Sequence, residues 1–354
     1  MNDHSPNLDI LRSLAVSFVV LSHVLLDKSL AHIGIYHSQT LGTLGVMIFF
    51  VHTCLVLMRS LERQESASTR RSLALPFLTA RFFRIYPLSV FVVLVLATIG
   101  GPDPHQHLTP LMFVSNIFLV QNLTGSASIT PVLWSLPFEV QMYLFLPALY
   151  LWSRASARHA WRWVLALWCE FVLLVGVFWW VGVNFDLIKF FPCFLPGVLA
   201  YCLRTMRRRW SAGILFAYVG ANAILYPLLV GLGASATVLS WGICLGLGAL
   251  IPMCVDVKSM WLRTVASVVA RYSYGIYLVH LSVLDVVFHR LSGVPSALAW
   301  LLFIGGVAVL SYLTYHMIEK PGIGFGHMLI GRITTFRRRS AQNIRRAESD
   351  VHRT

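Results

Sequence analysis

Charged residues are scarce: they make up 12% of the 354 residues, against about 25% in soluble domains. That shortage excludes an ordinary soluble globular fold. Acidic residues are scarcer still, 14 against 28 Lys and Arg, and residues 101–132 hold no Lys or Arg at all. Cysteine supplies no framework. Cys54, Cys169, Cys193, Cys202, Cys244 and Cys254 lie in or beside apolar stretches without paired spacing. Neither a disulfide framework nor a metal site is expected, and the six read as packing residues. The first apolar run is interrupted by Arg12 and followed by no small-x-small cleavage site, so a cleaved signal peptide is not expected. An internal repeat, the usual mark of a secondary transporter, is also missing.

What is present is apolar surface: 57% hydrophobic residues and a mean hydropathy of +0.72. A membrane helix needs about 20 apolar residues. Ten stretches qualify: roughly 8–27, 41–58, 86–101, 133–152, 163–182, 187–203, 212–231, 234–253, 265–288 and 297–318. Residues 110–121 are too short to span and read as a re-entrant or interfacial piece. The fold class expected is all-α, a polytopic membrane helix bundle of about ten transmembrane helices. The net charge of +14 is distributed as orientation rather than as a nucleic-acid surface. Six Arg fall in 59–84, three in 154–162, four in 204–209, and eight basic residues from Lys320 onward. The alternate loops carry only Lys28, Lys189 and Arg290. This positive-inside pattern puts both termini in the cytoplasm and leaves the lipid bilayer, not nucleic acid, as the partner of the basic residues. Residues 1–330 form one transmembrane domain, and 331–354 a basic cytoplasmic tail expected to be disordered.

Polar groups inside this apolar frame carry the chemistry. Arg12 and His23 are eleven positions apart. At about 100° per residue they share one helix face, about 16 Å apart along the axis. A central Arg costs about 2.5–3.5 kcal/mol in a membrane helix even on insertion scales, so a partner or ligand must meet it. Arg81 and Arg84, at i, i+3 where the third span is expected to begin, would join Arg12 in an anion site, because guanidinium forks match phosphate. Arg59, Arg63, Arg70 and Arg71 read as ordinary positive-inside anchors. In the opposite half, His23, Glu139 and His280 are expected at similar depth, a carboxylate and two imidazoles suited to proton transfer. Ser135 shares a face with Glu139, Trp134 sits beside it, and Ser273 and Tyr277 share the face of His280. Glu319, ending the last span, is expected to form a structural ion pair with Arg12 or with Arg81 and Arg84.

These elements, in order, resemble the acyltransferase-3 family of integral membrane acyltransferases. Arg12 to His23 matches its R-x10-H signature, set between NLDILRSLAV and VLSH. GVMIFFVHTCLVL, RFFRIYPL, WSLPFEVQMYLFLP, FPCFLPGVLAY, YSYGIYLVHLSVL and LSYLTYHMIEKP extend the resemblance over residues 8–321. One departure falls after Phe49-Phe50, where the family usually has Ser-Gly and this chain has His52-Thr53 beyond Val51. Losing that glycine removes a point of close backbone approach and points to a pocket of altered shape or acyl specificity. The tail after the last helix is too short for the hydrolase-like domain that some members carry, so the stand-alone form is expected.

The resemblance implies transfer of an acyl group, most often acetyl, from acyl-CoA as co-substrate to a carbohydrate hydroxyl, with no further cofactor. Arg12, Arg81 and Arg84 would bind the acyl-CoA phosphates, His23 would act as general base, and Glu139 would orient it. Trp134, Ser135, Tyr277 and His280 would line the acceptor pocket. Direct transfer ranks above a covalent intermediate on Ser135, which has no base beside it in sequence. The expected acceptor is a cell-surface or lipid-linked carbohydrate, with a small intracellular acceptor such as a macrolide left open. The expected location is a bacterial cytoplasmic membrane. A secondary transporter or exporter is the alternative, and nothing in the sequence fixes an oligomeric state.

Overall fold

The computed structural model describes residues 5–67, 73–100, 107–156, 159–183, 186–205, 209–291 and 293–332. Arg70, Arg71 and most of the basic tail lie outside these residues. The fold is helical nearly throughout, its one sheet among the described residues being a two-stranded antiparallel hairpin, β1 (His32–Ile33) and β2 (Tyr36–His37). The long helices are α1 (Pro6–Asp27), α2 (Ser38–Ala67), α3 (Ala74–Ile99), α6 (Leu136–Ala155), α7 (Ala160–Trp180), α8 (Asp186–Cys202), α9 (Ala212–Gly231), α10 (Ala236–Met253), α11 (Met260–Asp285) and α12 (Ser296–Thr314). Two short helices, α4 (Pro110–Phe118) and α5 (Gln121–Thr124), precede α6. This is a polytopic membrane helix bundle. Eight of the described helices are long and apolar enough to cross a bilayer. Of the ten expected spans, α8 has only 17 residues, and α11 carries Arg263 and Arg271.

α2 is the central helix, buried over most of its length, and α1 packs between it and α11. Small residues make the α1–α2 contact close. A Cβ built on Gly45 would sit 2.4 Å from Ala15 O, and one on Gly42 would sit 2.8 Å from Ser22 Oγ. Backbones approach in this way only where side chains are minimal. Gly45→Ala is therefore expected to destabilise the protein by about 1–3 kcal/mol, the usual cost of overpacking. A lowered thermal unfolding midpoint in detergent checks this, and an unchanged midpoint would contradict the close contact.

Three boundaries differ from the sequence reading, each for a local reason. α3 begins at Ala74, so Arg81 and Arg84 lie on its second and third turns rather than ahead of it, and Pro87 sits inside the helix. Proline leaves the carbonyl four residues back without its helical partner. That carbonyl, on Phe83, faces the backbone of Gly322, where a Cβ would come within 3.0 Å of it. The last span does not end at Glu319. A π-helical turn, Tyr315–Glu319, carries the chain on in helix to Arg332. Finally, α6 is preceded by a 3-10 turn, Pro131–Ser135, held by loop amides: Gln121 Nε2 donates to Leu133 O at 3.0 Å, and Asn122 and Gln141 exchange reciprocal amide bonds. In α8, Pro196 frees the carbonyl of Pro192, and the Trp168 indole of α7 donates to it at 2.9 Å.

Candidate functional site

Four helices, three of them with charged groups, bring polar side chains to one cavity of about 100 Å³. Arg12 comes from α1, Arg81 and Arg84 from α3, Glu139 and Tyr143 from α6, and Ser273, Tyr274 and Tyr277 from α11. Arg12 Nε donates to Ser273 Oγ at 2.6 Å. Tyr143 Oη donates to Glu139 Oε1 at 2.5 Å, an i, i+4 pair on α6. Arg84 Nη1 pairs with Glu319 Oε2 at 3.0 Å, and the Glu319 side chain is fully buried. Arg81 Nε is buried without a hydrogen-bond partner. With every group ionised, three guanidiniums against two carboxylates leave one positive charge in excess, which suits the cavity to an anion. His52 and Thr53, the residues that depart from the family pattern, line this same cavity.

A larger cavity, about 550 Å³, opens at the His23 end of α1. Trp134, Gln39, Thr43, Lys189 and Ser240 line it with His23: an aromatic face, hydroxyls, an amide and a single lysine. Val46 and Tyr277 border both cavities and form part of the wall between them. In that wall Tyr277 Oη donates to Val132 O at 2.7 Å, because a carbonyl can only accept. The 2.8 Å contact between Ser135 Oγ and Tyr277 Oη must then be donated by Ser135. The Ser135 proton is committed to a neighbouring phenol, an arrangement that activates no nucleophile.

The structure separates groups that the sequence reading put together. Glu139 does not share the site of His23; it lies in the arginine cavity, bonded to Tyr143. Counting from the start of the apolar run placed it near the opposite face, but the 3-10 turn and its loop hold the start of α6 against the arginine cavity. His280 does not line the larger cavity either. It is fully buried and meets His23 across the α1–α11 contact, Nε2 to Nδ1 at 3.2 Å. Tyr277 sits between the two sites, and Trp134 and Ser135, though adjacent, border different cavities. α11 thus follows α1: Ser273 meets Arg12 and His280 meets His23. Tyr143 and Tyr274 were missed as site residues; Tyr143, four residues after Glu139, was detectable from spacing alone. Of the remaining intramembrane polar groups, Asp285 pairs with Arg290 at 2.7 Å, and His316 lies 3.4 Å from Tyr272 Oη.

Comparisons with known proteins place the chain in a family. The family model described as Acyltransferase domain, that of the acyltransferase-3 family, matches residues 5–316. The chain is similar to Acyltransferase MdmB of Streptomyces mycarofaciens, 26% identical over 361 aligned positions that cover 88% of each chain. No solved structure gives a significant match.

Proposed function

This chain belongs to the acyltransferase-3 family, and from that premise we propose that it transfers an acetyl group from acetyl-CoA to a hydroxyl of a cell-surface or lipid-linked carbohydrate. Membrane acyltransfer is the family's activity. The donor, the acyl group and the acceptor are the proposed part. The observation that carries the reading is the pair of cavities at the two ends of one helix face, one cationic and one carrying His23.

Arg12, Arg81 and Arg84 bind the donor phosphates at a cytoplasmic mouth, where the anion completes the charge balance. The pantetheine arm runs along α1, over the roughly 16 Å between Arg12 and His23. His23 removes the proton of the acceptor hydroxyl as it attacks the thioester. Trp134 and the hydroxyls around it offer a stacking face and hydrogen bonds to a neutral sugar. Glu139 serves the arginine cluster instead of orienting the base. The protein sits in a bacterial cytoplasmic membrane, with the arginine cavity facing inward.

The test is to supply isotope-labelled acetyl-CoA to inverted membrane vesicles carrying wild type or His23→Ala, then search glycan and lipid-sugar fractions for labelled ester. Ester made only by wild type supports the proposal; a substrate moved across the membrane unchanged supports the transporter instead. Arg81 is the cleanest donor-site probe, because Arg84 is tied to Glu319. Arg81→Leu is expected to raise KM for acetyl-CoA about 10- to 100-fold, the equivalent of one charged hydrogen bond, with a smaller change in kcat. An unchanged KM would remove Arg81 from the donor site.

A further inference from the structure

Two backbone carbonyls decide where the protons sit on the half-buried His23 and the buried His280. His23 Nδ1 lies 2.9 Å from Val19 O of its own helix, and His280 Nδ1 lies 3.0 Å from Ile276 O of its own. A carbonyl oxygen only accepts, so each contact is a hydrogen bond only when Nδ1 carries a proton. His280 Nε2 then holds a lone pair, 3.2 Å from His23 Nδ1. The His23 Nδ1–H is shared between Val19 O and His280 Nε2, and His23 Nε2 is left as a free acceptor. In the reverse arrangement, His280 Nε2–H donates to a bare His23 Nδ1. That sets lone pair against lone pair at Val19 O. It does the same at Ile276 O unless His280 is a cation, and His280 has no exposure to water that would solvate one. The rings are tilted by 53° with centroids 5.1 Å apart, an edge contact and not a stack.

We infer that His280 is a positioning residue for His23, a neutral imidazole in the place a carboxylate takes in a Ser-His-Asp triad. It fixes His23 as the Nδ1–H tautomer, directs Nε2 as the base, and accepts the stronger hydrogen bond when His23 becomes imidazolium. The carboxylates that lie elsewhere around the site face other groups: Glu139 accepts from Tyr143, Asp27 is ion-paired with Lys28 at 2.8 Å and lies 3.1 Å from His289, and Asp285 pairs with Arg290 at 2.7 Å. The chemical role rests on the acyl-transfer reading; the tautomers do not. In the transfer, the acceptor O–H bond breaks as its proton passes to His23 Nε2. The oxygen electron pair forms the C–O bond to the thioester carbonyl carbon. The C–S bond breaks with its electrons on sulfur, and the proton moves from Nε2 to that sulfur, giving ester and CoA thiol. His280 gains and loses no proton.

The experiment is nitrogen NMR on the full chain labelled with 15N-histidine, with His23→Ala and His280→Leu used to assign the signals. Both residues are expected in the Nδ1-protonated form, with a coupling across the hydrogen bond between His23 Nδ1 and His280 Nε2. An Nε2-protonated form of either residue overturns the inference. In kinetics, His280→Leu is expected to lower kcat about 10- to 100-fold with KM for the acyl donor within about twofold, and His280→Gln, whose side-chain oxygen accepts a hydrogen bond, to recover about tenfold. Equal losses in both variants, or a loss confined to KM, overturn it as well. A wild type that makes no ester defeats the proposed function, while the nitrogen spectra still decide the tautomers.

Discussion

Replacing His23 with alanine is expected to lower acyl transfer by about 10²- to 10⁴-fold, the range that a positioned general base contributes. His23 borders the larger cavity and is held through Nδ1 by Val19 O and His280. No second imidazole lines that cavity to replace it among the described residues. The loss falls on kcat, because Arg12 and the arginine cavity lie about 16 Å away along α1 and keep their contacts. His23 is only partly buried, so its truncation leaves no large cavity in the core. Initial rates of ester formation at saturating acyl donor, with KM measured beside them, decide the matter. An enzyme that keeps a tenth of its kcat without His23 does not use it as the base.

The second large effect concerns folding. Glu319 is fully buried against Arg84 and ties the last helix to α3 beside the arginine cavity. Removing one partner of a buried ion pair leaves the other charge uncompensated, a loss of about 3–5 kcal/mol, whereas replacing both with apolar groups is often neutral. Glu319→Leu is therefore expected to lower the thermal unfolding midpoint in detergent markedly, and Arg84→Met combined with Glu319→Leu to recover half or more of the loss. Additive losses in the double variant would mean that the two residues act independently. The double variant also separates stability from binding: it is expected to fold and to hold the acyl donor poorly, since one of three guanidiniums is gone.

Much of this site was legible in the sequence because helical spacing fixes direction around an axis. Arg12 and His23 on one face, Arg81 with Arg84, and the stripe Ser273, Tyr277, His280 all follow from angles along single helices. Depth did not follow. The hydropathy of WSLPFEVQMYLFLP marks an apolar run, but not that a 3-10 turn precedes α6 and holds its first turn against the arginine cavity. Glu139 was accordingly read at the level of His23. Partner choice was equally hidden: the periodicity of α11 shows which of its residues share a face, and only packing shows that this face follows α1. The helix bounds failed at Pro87, where the backbone of Gly322 lies against the freed carbonyl, and at Tyr315–Glu319, where a π turn continues the last helix.

The close glycine contact between α1 and α2 has an evolutionary corollary. With α1 pressed onto Gly42 and Gly45 on one side and against α11 on the other, the stretch from Arg12 to His23 behaves as a ruler with both ends fixed. One inserted residue would swing everything beyond it by about 100° and lift it by about 1.5 Å, parting His23 from His280 in a single step. Four inserted residues would bring the face nearly back but lengthen the ruler by about 6 Å. Substitutions on the outward side of α1 can accumulate freely, whereas changes in its length have no gradual route. On this geometry, a change of donor or acceptor is expected to fall on the surrounding helices and loops, with the residue count of this segment held constant.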